Sequence, residues 1–421
     1  MRYQRFLTGL FLGLIVSITL ACSEQVMLSG PPAARSPEVA ETMTPTSARE
    51  GEAPVIQAKS LPADTKAIVD GVEGGMANPP RKDIRIVVIS DLNSAYGSTD
   101  YDPEVDKAVQ LLPFWQPDLV VCSGDMVAGQ NPALTPEQIR TMWQAFDQHV
   151  ADPLRDQGVP YGFTIGNHDA SSARGVNDAF LFSRERDLAS AYWNDPNHDP
   201  GLEFLDRDDF PFFYTFKYDD IFFMAWDGSS SRIPTEKLAW VEQALASPAA
   251  QQAQARILLS HLPLYGVAVG RDEPGEVMDN AEQLRAMLER YNVHTYISGH
   301  HHAYYPGHRG KLQLLHTGIL GSGPRPLIDS GLPTRKTLTV VDVEFADPDL
   351  TTYTTYDIQT LATIAYDELP RFLAGHNGLV LRRDVTYEDL STDERSICEQ
   401  KLGQALCVGQ FKFAWPKSYP A

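Results

Sequence analysis

Five short polar motifs carry the residue types of metal and proton chemistry, and each closes an apolar run. They are Asp91-Leu92-Asn93, Gly124-Asp125, Gly166-Asn167-His168-Asp169, Ser260-His261-Leu262-Pro263 and Gly299-His300-His301-His302. Carboxylate and amide oxygens mixed with imidazole nitrogens suit a divalent first-row metal ion. The runs that precede them are 84–89, 119–122, 161–165, 257–259 and 293–297. Short, β-branched and apolar, they predict buried strands. In open α/β sheets the loops leaving strand C-termini form the ligand crevice. One crevice then collects Asp91, Asn93, Asp125, Asn167, His168, Asp169, His261, His300 and His302.

Taken singly, each motif has an ordinary explanation. Asn167 suits a turn. His261 could be a strand-end histidine bonded to backbone, and His300 to His302 an adventitious surface cluster. Five independent turns, however, would not share one ordered ligand set. His301 alternates away from its neighbours and is not expected to be a ligand. His149, His198, His294, His308, His316 and His376 match no ligand position.

The ordered set resembles the calcineurin-like metallophosphoesterases, whose pattern runs Asp-x-His, Gly-Asp, Gly-Asn-His-Asp/Glu, a lone His, then Gly-His-x-His. Four of the five elements match outright, over roughly residues 83–346. The resemblance implies an α/β fold, a four-layer αββα sandwich of two mixed β-sheets flanked by helices. It implies phosphate-ester hydrolysis, of a monoester or diester, by two divalent ions (Mn, Fe, Zn or Co) about 3.5–4 Å apart. A hydroxide held between the ions is then the nucleophile. By the same resemblance Asp125 bridges the ions, Asp91 and His302 hold the first, and Asn167, His261 and His300 hold the second. His168 protonates the leaving group, and Asp169 orients His168.

Two positions depart from the pattern. Asn93 stands where the family commonly has His, and Ala128 where Asp, Asn or Tyr is frequent. The first site is left with three clear ligands plus Asn93 or water, a set that favours Mn²⁺ or another oxygen-tolerant ion over Zn²⁺. With no Tyr at 128, a purple iron–tyrosinate enzyme is not expected. Two alternatives remain open: a catalytically weak or silent metal-binding lipoprotein of the same fold, and a mononuclear hydrolase that uses only the His261 site.

The termini frame this core. Arg2 and Arg5 precede sixteen apolar-rich residues, Phe6 to Ala21. Basic residues followed by a short apolar core describe a secretory signal, too short for a span of ~20 apolar residues. Thr19-Leu20-Ala21-Cys22 resembles a bacterial lipobox, which implies lipid attachment at Cys22; an ordinary signal peptide or an uncleaved anchor are the alternatives. The expectation is an exported, membrane-anchored lipoprotein facing the periplasm or cell exterior. Residues 23–80 are rich in Pro, Ala, Ser, Thr, Glu and Gly, which predicts a disordered stalk. The expected organisation is then 1–22 signal, 23–80 stalk, 81–350 catalytic domain and 351–421 an extension packed on the core. The 421 residues carry a net charge of −20. That argues against a basic nucleic-acid surface but not against a phosphorylated small substrate. Cys122 reads as a core residue. Cys398 and Cys407 form a local disulfide or remain two thiols.

Other residues carry weaker signals. Thr235–Ser247 and Asn280–Asn292 show helical spacing, with Thr235 a candidate N-cap. Phe212–Trp226 predicts a hairpin about Asp219-Asp220, and Leu312–His316 and Leu338–Phe345 are expected in a second sheet. Arg174, Arg184, Arg186 and Arg207 are either phosphate contacts or members of ion pairs. Tyr96, Tyr101, Tyr265, Tyr304 and Tyr305 flank the motif loops, to stack on substrate or to pack.

Overall fold

Residues 60–408 are described by the structure, a computed structural model. The signal segment, Cys22 and most of the expected stalk lie outside the described residues. Among the described residues fourteen strands form two mixed sheets. In chain order they are β1 (Ile84–Ile89), β2 (Leu119–Cys122), β3 (Tyr161–Phe163), β4 (Glu203–Asp209), β5 (Phe213–Tyr218), β6 (Ile221–Ala225), β7 (Ala255–Leu259), β8 (Thr295–Ser298), β9 (Tyr304–Arg309), β10 (Leu312–Thr317), β11 (Thr337–Val343), β12 (Thr352–Asp357), β13 (Phe372–Gly375) and β14 (Gly378–Arg382).

The first sheet has the order β12-β11-β1-β2-β3. β1, β2 and β3 run parallel, with Ile89 opposite Cys122 and Cys122 opposite Phe163. Their C-terminal ends are therefore level, and the first three motifs leave one edge together. The second sheet has the order β13-β14-β9-β10-β8-β7-β6-β5-β4. There β7 and β8 are parallel, with Leu259 opposite Ile297, so the last two motifs also leave side by side. β1 and β2 are buried along their whole length. That is why β2 reads as an unbroken apolar run, and β1 as one interrupted only by Arg85, rather than as alternating strands.

The sheets pack face to face, and helices flank them, in the αββα arrangement. Phe163 of β3 stacks on Trp193 at 4.0 Å between ring centroids. The Tyr214 hydroxyl of β5 accepts the Phe163 N–H at 3.1 Å and also donates to the Phe163 carbonyl. That buried clasp joins the two sheets directly. A Cβ at Gly162 would lie 2.8 Å from the Phe216 ring, so the backbone of β3 meets β5 with no room for a side chain.

Four expectations about organisation need correction. Residues 60–80 are not stalk. Ala63–Asp70 is a helix whose Thr65 is buried and donates to the Gln110 carbonyl at 2.7 Å. Asn78 and Pro79 accept from the buried Arg85 guanidinium, whose fork also grips Asp342 of β11 at 2.8 and 3.1 Å. Polar composition hid a segment ordered by one buried arginine. Second, Leu338–Phe345 (β11) belongs to the first sheet, antiparallel to β1 with Val87 opposite Val340. A run buried on both faces does not announce its sheet. Third, residues after 350 are more than a packed extension, since β12 edges the first sheet and β13–β14 extend the second. Fourth, Thr235 is the first residue of its helix and Pro234 occupies the N-cap. The β5–β6 hairpin turns at Asp219-Asp220 as expected. Cys398 and Cys407 form a disulfide, packed with Leu379 and Leu381.

Candidate metal centre

The five motif loops of the two sheets meet at one point. Asp91, Asp125 and His302 each bring a ligand atom to within 4.8 Å of the others. Asn167, His261 and His300 adjoin them. His261 Nε2 stands 2.8 Å from Asn167 Oδ1 and 3.3 Å from Asp125 Oδ2. His300 Nδ1 stands 2.9 Å from the same Asn167 oxygen. His302 Nε2 stands 3.2 Å from Asp91 Oδ1.

The second nitrogen of each imidazole decides what these distances mean. His261 Nδ1 donates to the Ser123 carbonyl at 2.8 Å. His302 Nδ1 donates to the Gly323 carbonyl at 2.9 Å. His300 Nε2 faces the Glu276 carboxylate at 2.8 Å. A neutral imidazole has one N–H, so in each ring the inward nitrogen carries a lone pair. Those lone pairs point at oxygens of Asp91, Asp125 and Asn167. Asn167 is itself turned oxygen-inward, because its Nδ2 donates to Gln130 Oε1 at 2.8 Å. Acceptors buried against acceptors repel unless a cation sits among them. The donor set therefore fits divalent ions, with the outer partner of each histidine fixing its tautomer.

The electrostatics agree with a negative well. Burial alone would raise the Asp125 carboxyl, but His261, His168 and their N–H groups hold it well below the carboxylate range. Burial pulls His261 down, yet Asp125 and Asp91 push it up to about 9, so without a cation among them these acceptors draw a proton onto its inward nitrogen. His300 falls to about 4 through burial, which outweighs its bond to Glu276.

The backbone pays locally for this convergence. Asp91, Asp125, His300 and His302 all have positive φ, at 49°, 56°, 62° and 54°. Asp and His tolerate that region better than most residues, but each instance costs on the order of 1–3 kcal/mol. Gly124, at φ 98°, passes so near His261 that a Cβ would lie 2.7 Å from Nδ1. At Gly166 a Cβ would lie 2.2 Å from the Asp125 carboxylate.

His168 sits at the mouth. Its N–H donates to Asp125 Oδ1 at 2.8 Å, and its ring is only 12% exposed. Its Nδ1 faces the Gly129 carbonyl at 3.3 Å, which leaves Nε2 3.9 Å from Asp125 Oδ2. Tyr96, 61% exposed, lies against the ring at 4.9 Å between centroids. Asn93 is buried, and its N–H reaches the Asp125 carbonyl at 3.3 Å. Its amide takes no hydrogen bond among the described residues. Ala128 is buried and contributes only its carbonyl, to Gly97 N–H at 2.6 Å.

The expected role of Asp169 is not what the geometry gives. Its carboxylate makes no bond to His168. It accepts the backbone N–H groups of Asp125, Met126, Val127 and Gly166 at 2.7–2.9 Å. Asp169 ties the second motif loop to the third. Burial and the Asp125 charge push its carboxyl up to about 7, against the pull of those N–H donors.

Other expected groups lie elsewhere. Arg186 pairs with Asp227 at 2.8 Å between the Phe180 and Phe212 rings, and Arg184 donates to the Leu134 carbonyl. Arg174 pairs with Asp178, and Arg207 lies over Phe204. Tyr265, Tyr304 and Tyr305 are buried, and Tyr101 donates to the Met126 carbonyl. His301 is a wedge: Nδ1 accepts Val267 N–H at 3.3 Å and Nε2 donates to the Glu276 carbonyl at 3.0 Å. His149 pairs with Asp106 and His376 with Asp272.

Gln130 and Glu276 carry no sequence signal. They hold ligands through bonds formed only in the folded chain.

Asp169→Ala should orphan four buried N–H groups and lower unfolding free energy by at least about 3 kcal/mol, measured by urea denaturation. Wild-type stability in that variant would remove the clamp assignment.

A family model of calcineurin-like phosphoesterases matches residues 84–304. No curated protein sequence matches the chain. Among solved structures the chain is similar to a purple acid phosphatase, PPD1, from yellow lupin (Lupinus luteus), at 16% identity and TM-score 0.47. That match covers 69% of this chain and 54% of the lupin chain, so this chain spans about half the lupin chain's length. It is also similar to GAP50, the anchor in the inner membrane complex of Plasmodium, at 13% identity and TM-score 0.43, over 80% of this chain and 99% of that one. The ordered motifs, the converging lone pairs and the family match over half the chain lead to one assignment: the chain belongs to the calcineurin-like phosphoesterase family.

Proposed function

We propose that the chain hydrolyses phosphate esters of small molecules at a dinuclear centre. The observation that carries this is that three imidazoles, each with its outer nitrogen held by a carbonyl or carboxylate, aim the inner nitrogen at Asp91, Asp125 and Asn167 oxygens. Divalent ions bound there would supply charge neutralisation to the phosphoryl oxygens and acidity to water. Asp125 would serve both donor groups, with Oδ2 3.3 Å from His261 Nε2 and a ligand atom within 4.8 Å of Asp91 and His302. Asp91, His302 and Asn93 form one group; Asn167, His261 and His300 form the other. The Asn93 amide, a neutral donor without a partner among the described residues, makes the first group the weaker. The chain's own proton chemistry falls to His168. With Nδ1 on the Gly129 carbonyl, Nε2 is the nitrogen able to deliver a proton to the leaving oxygen.

Asp125→Asn tests the bridge. The variant should lose bound metal, by elemental analysis, and nearly all turnover while keeping its fold. Two ions per chain retained in the variant would end the bridging assignment.

His168→Ala tests the acid. Turnover of alkyl phosphates should drop by roughly 10²–10⁴, the usual worth of a positioned acid. Aryl phosphates should suffer far less, because a phenolate departs unaided. Equal losses on both would mean that His168 serves another role. Bound metal with no hydrolysis of either class would favour a silent binding protein.

We also propose export and lipid anchoring, supported by Arg2, Arg5, the apolar run Phe6 to Ala21 and Cys22. Among the described residues no helix is long and apolar enough to cross a membrane. Cys22→Ser should release the protein from the membrane fraction or block its processing. A mature-sized variant that stays on the membrane would rule the lipid out as anchor.

A further inference from the structure

Beside the metal cluster stand two arginines, with one bonded carboxylate, Glu276, for the pair. Arg271 Nη1 reaches Glu276 Oε2 at 2.5 Å and lies 3.1 Å from His300 Nε2. Its Nε is buried without a partner. Arg325 is anchored next to the cluster, where its backbone N–H donates to the His302 carbonyl at 3.0 Å. Its guanidinium makes no hydrogen bond or ion pair among the described residues, and its Nε is also buried and unpartnered. A Cβ on Gly270 would lie 3.0 Å from Arg325 Nη1, so this guanidinium lies against the residue that precedes Arg271. Burial and the Arg271 charge both act against the Arg325 cation, and Glu276 offsets them only in part.

This arrangement is unexpected for surface arginines. The chain has 55 acidic and 35 basic residues, so carboxylate partners are plentiful. Glu276 is bonded to Arg271 and no carboxylate to Arg325, so one positive charge stays uncompensated unless an anion completes the set. Position says which anion. His300 faces Asn167 with Nδ1 and Arg271 with Nε2. Arg271 therefore stands across the imidazole ring from the metal-ligating oxygens. A phosphoryl group held among those oxygens is one ring's width away. The guanidiniums are placed for a group attached to that phosphoryl, not for the phosphoryl itself.

Resting on the phosphoesterase reading above, we propose that Arg271 and Arg325 form an anion subsite that receives a second phosphate next to the scissile one. The substrates are then phosphoanhydrides or closely spaced bisphosphates rather than simple monoesters. Planar guanidinium forks grip phosphate oxygens bidentately, and this gives the subsite its selectivity.

The test uses the full-length chain supplemented with manganese and two non-hydrolysable probes, methylphosphonate and methylenediphosphonate, titrated by calorimetry. The wild type should bind the diphosphonate at least about tenfold more tightly, the worth of one good charge-assisted contact. Arg325→Gln, and separately Arg271→Gln, should bring that ratio toward one. Arg325→Lys should restore it in part, since a point charge replaces a fork. A ratio near one in the wild type, or a ratio unchanged in both Gln variants, overturns the subsite. Hydrolysis of 4-nitrophenyl phosphate by the wild type is followed in parallel. Absent hydrolysis of this monoester and of inorganic pyrophosphate, with the ratio intact, supports the anion subsite and overturns the catalytic reading instead. Hydrolysis with equal affinities for the two probes overturns the subsite alone.

Discussion

Asp125 is buried at the meeting point of two sheets, within reach of imidazoles from two others of the five motif loops, and the rest of the site is arranged around its negative charge. Left to itself, a buried carboxylate facing further oxygen and nitrogen lone pairs is a repulsive arrangement. The fold does not relieve the conflict by swinging the acceptors apart. It fastens the outer side of each one. Ser123 and Gly323 carbonyls hold His261 and His302, Glu276 holds His300, and Gln130 holds Asn167. Each anchor is a hydrogen bond that also fixes which nitrogen or oxygen looks inward. The inner acceptors are thus preorganised for cations, and the cost of bringing them together is met by folding rather than by binding.

The same logic explains where the backbone is strained. Four of the residues nearest the centre have left-handed φ, and two glycines approach so closely that a Cβ would collide. Such conformations persist only when surrounding contacts over-determine them. Here Asp169 does much of that work, with four backbone N–H groups from two loops converging on one carboxylate. A side chain that looked like a catalytic partner in sequence is the fastening of the loops that carry catalysis.

Much of this was legible in the chain and some was not, for definite reasons. Ligand candidates and strands could be named because they are local: a β-branched run and the polar motif that ends it lie within about ten residues. Which sheet a strand joins is not local. β11 was placed in the wrong sheet because a run buried on both faces has no polar side to orient it. The role of Asp169 was misread because adjacency to His168 in sequence is not adjacency of side chains. In the short helix Asn167–Ala170 successive side chains point apart, and the Asp169 carboxylate turns back to Gly166. Residues 60–80 looked disordered by composition, yet Arg85 draws Asn78 and Pro79 into the core. Composition averages over a window, whereas a single buried guanidinium acts at two atoms.

A division of labour follows from which polar groups are already committed. Around the centre nearly every acceptor has its outer side fixed, so the cluster is suited to cations and, under the proposed function, to the phosphoryl group they would attract. At the mouth the groups are less constrained. His168 Nε2, the exposed Tyr96 ring and the Arg325 guanidinium keep faces or donors that the folded chain does not satisfy. Reaction type is thus set by the interior, where geometry is over-determined. Choice of substrate is left to the rim, where the unspent donors are. Motif residues identify the family because they belong to the first set. They are silent on the substrate because the second set lies between the motifs, in segments with no periodicity to betray them.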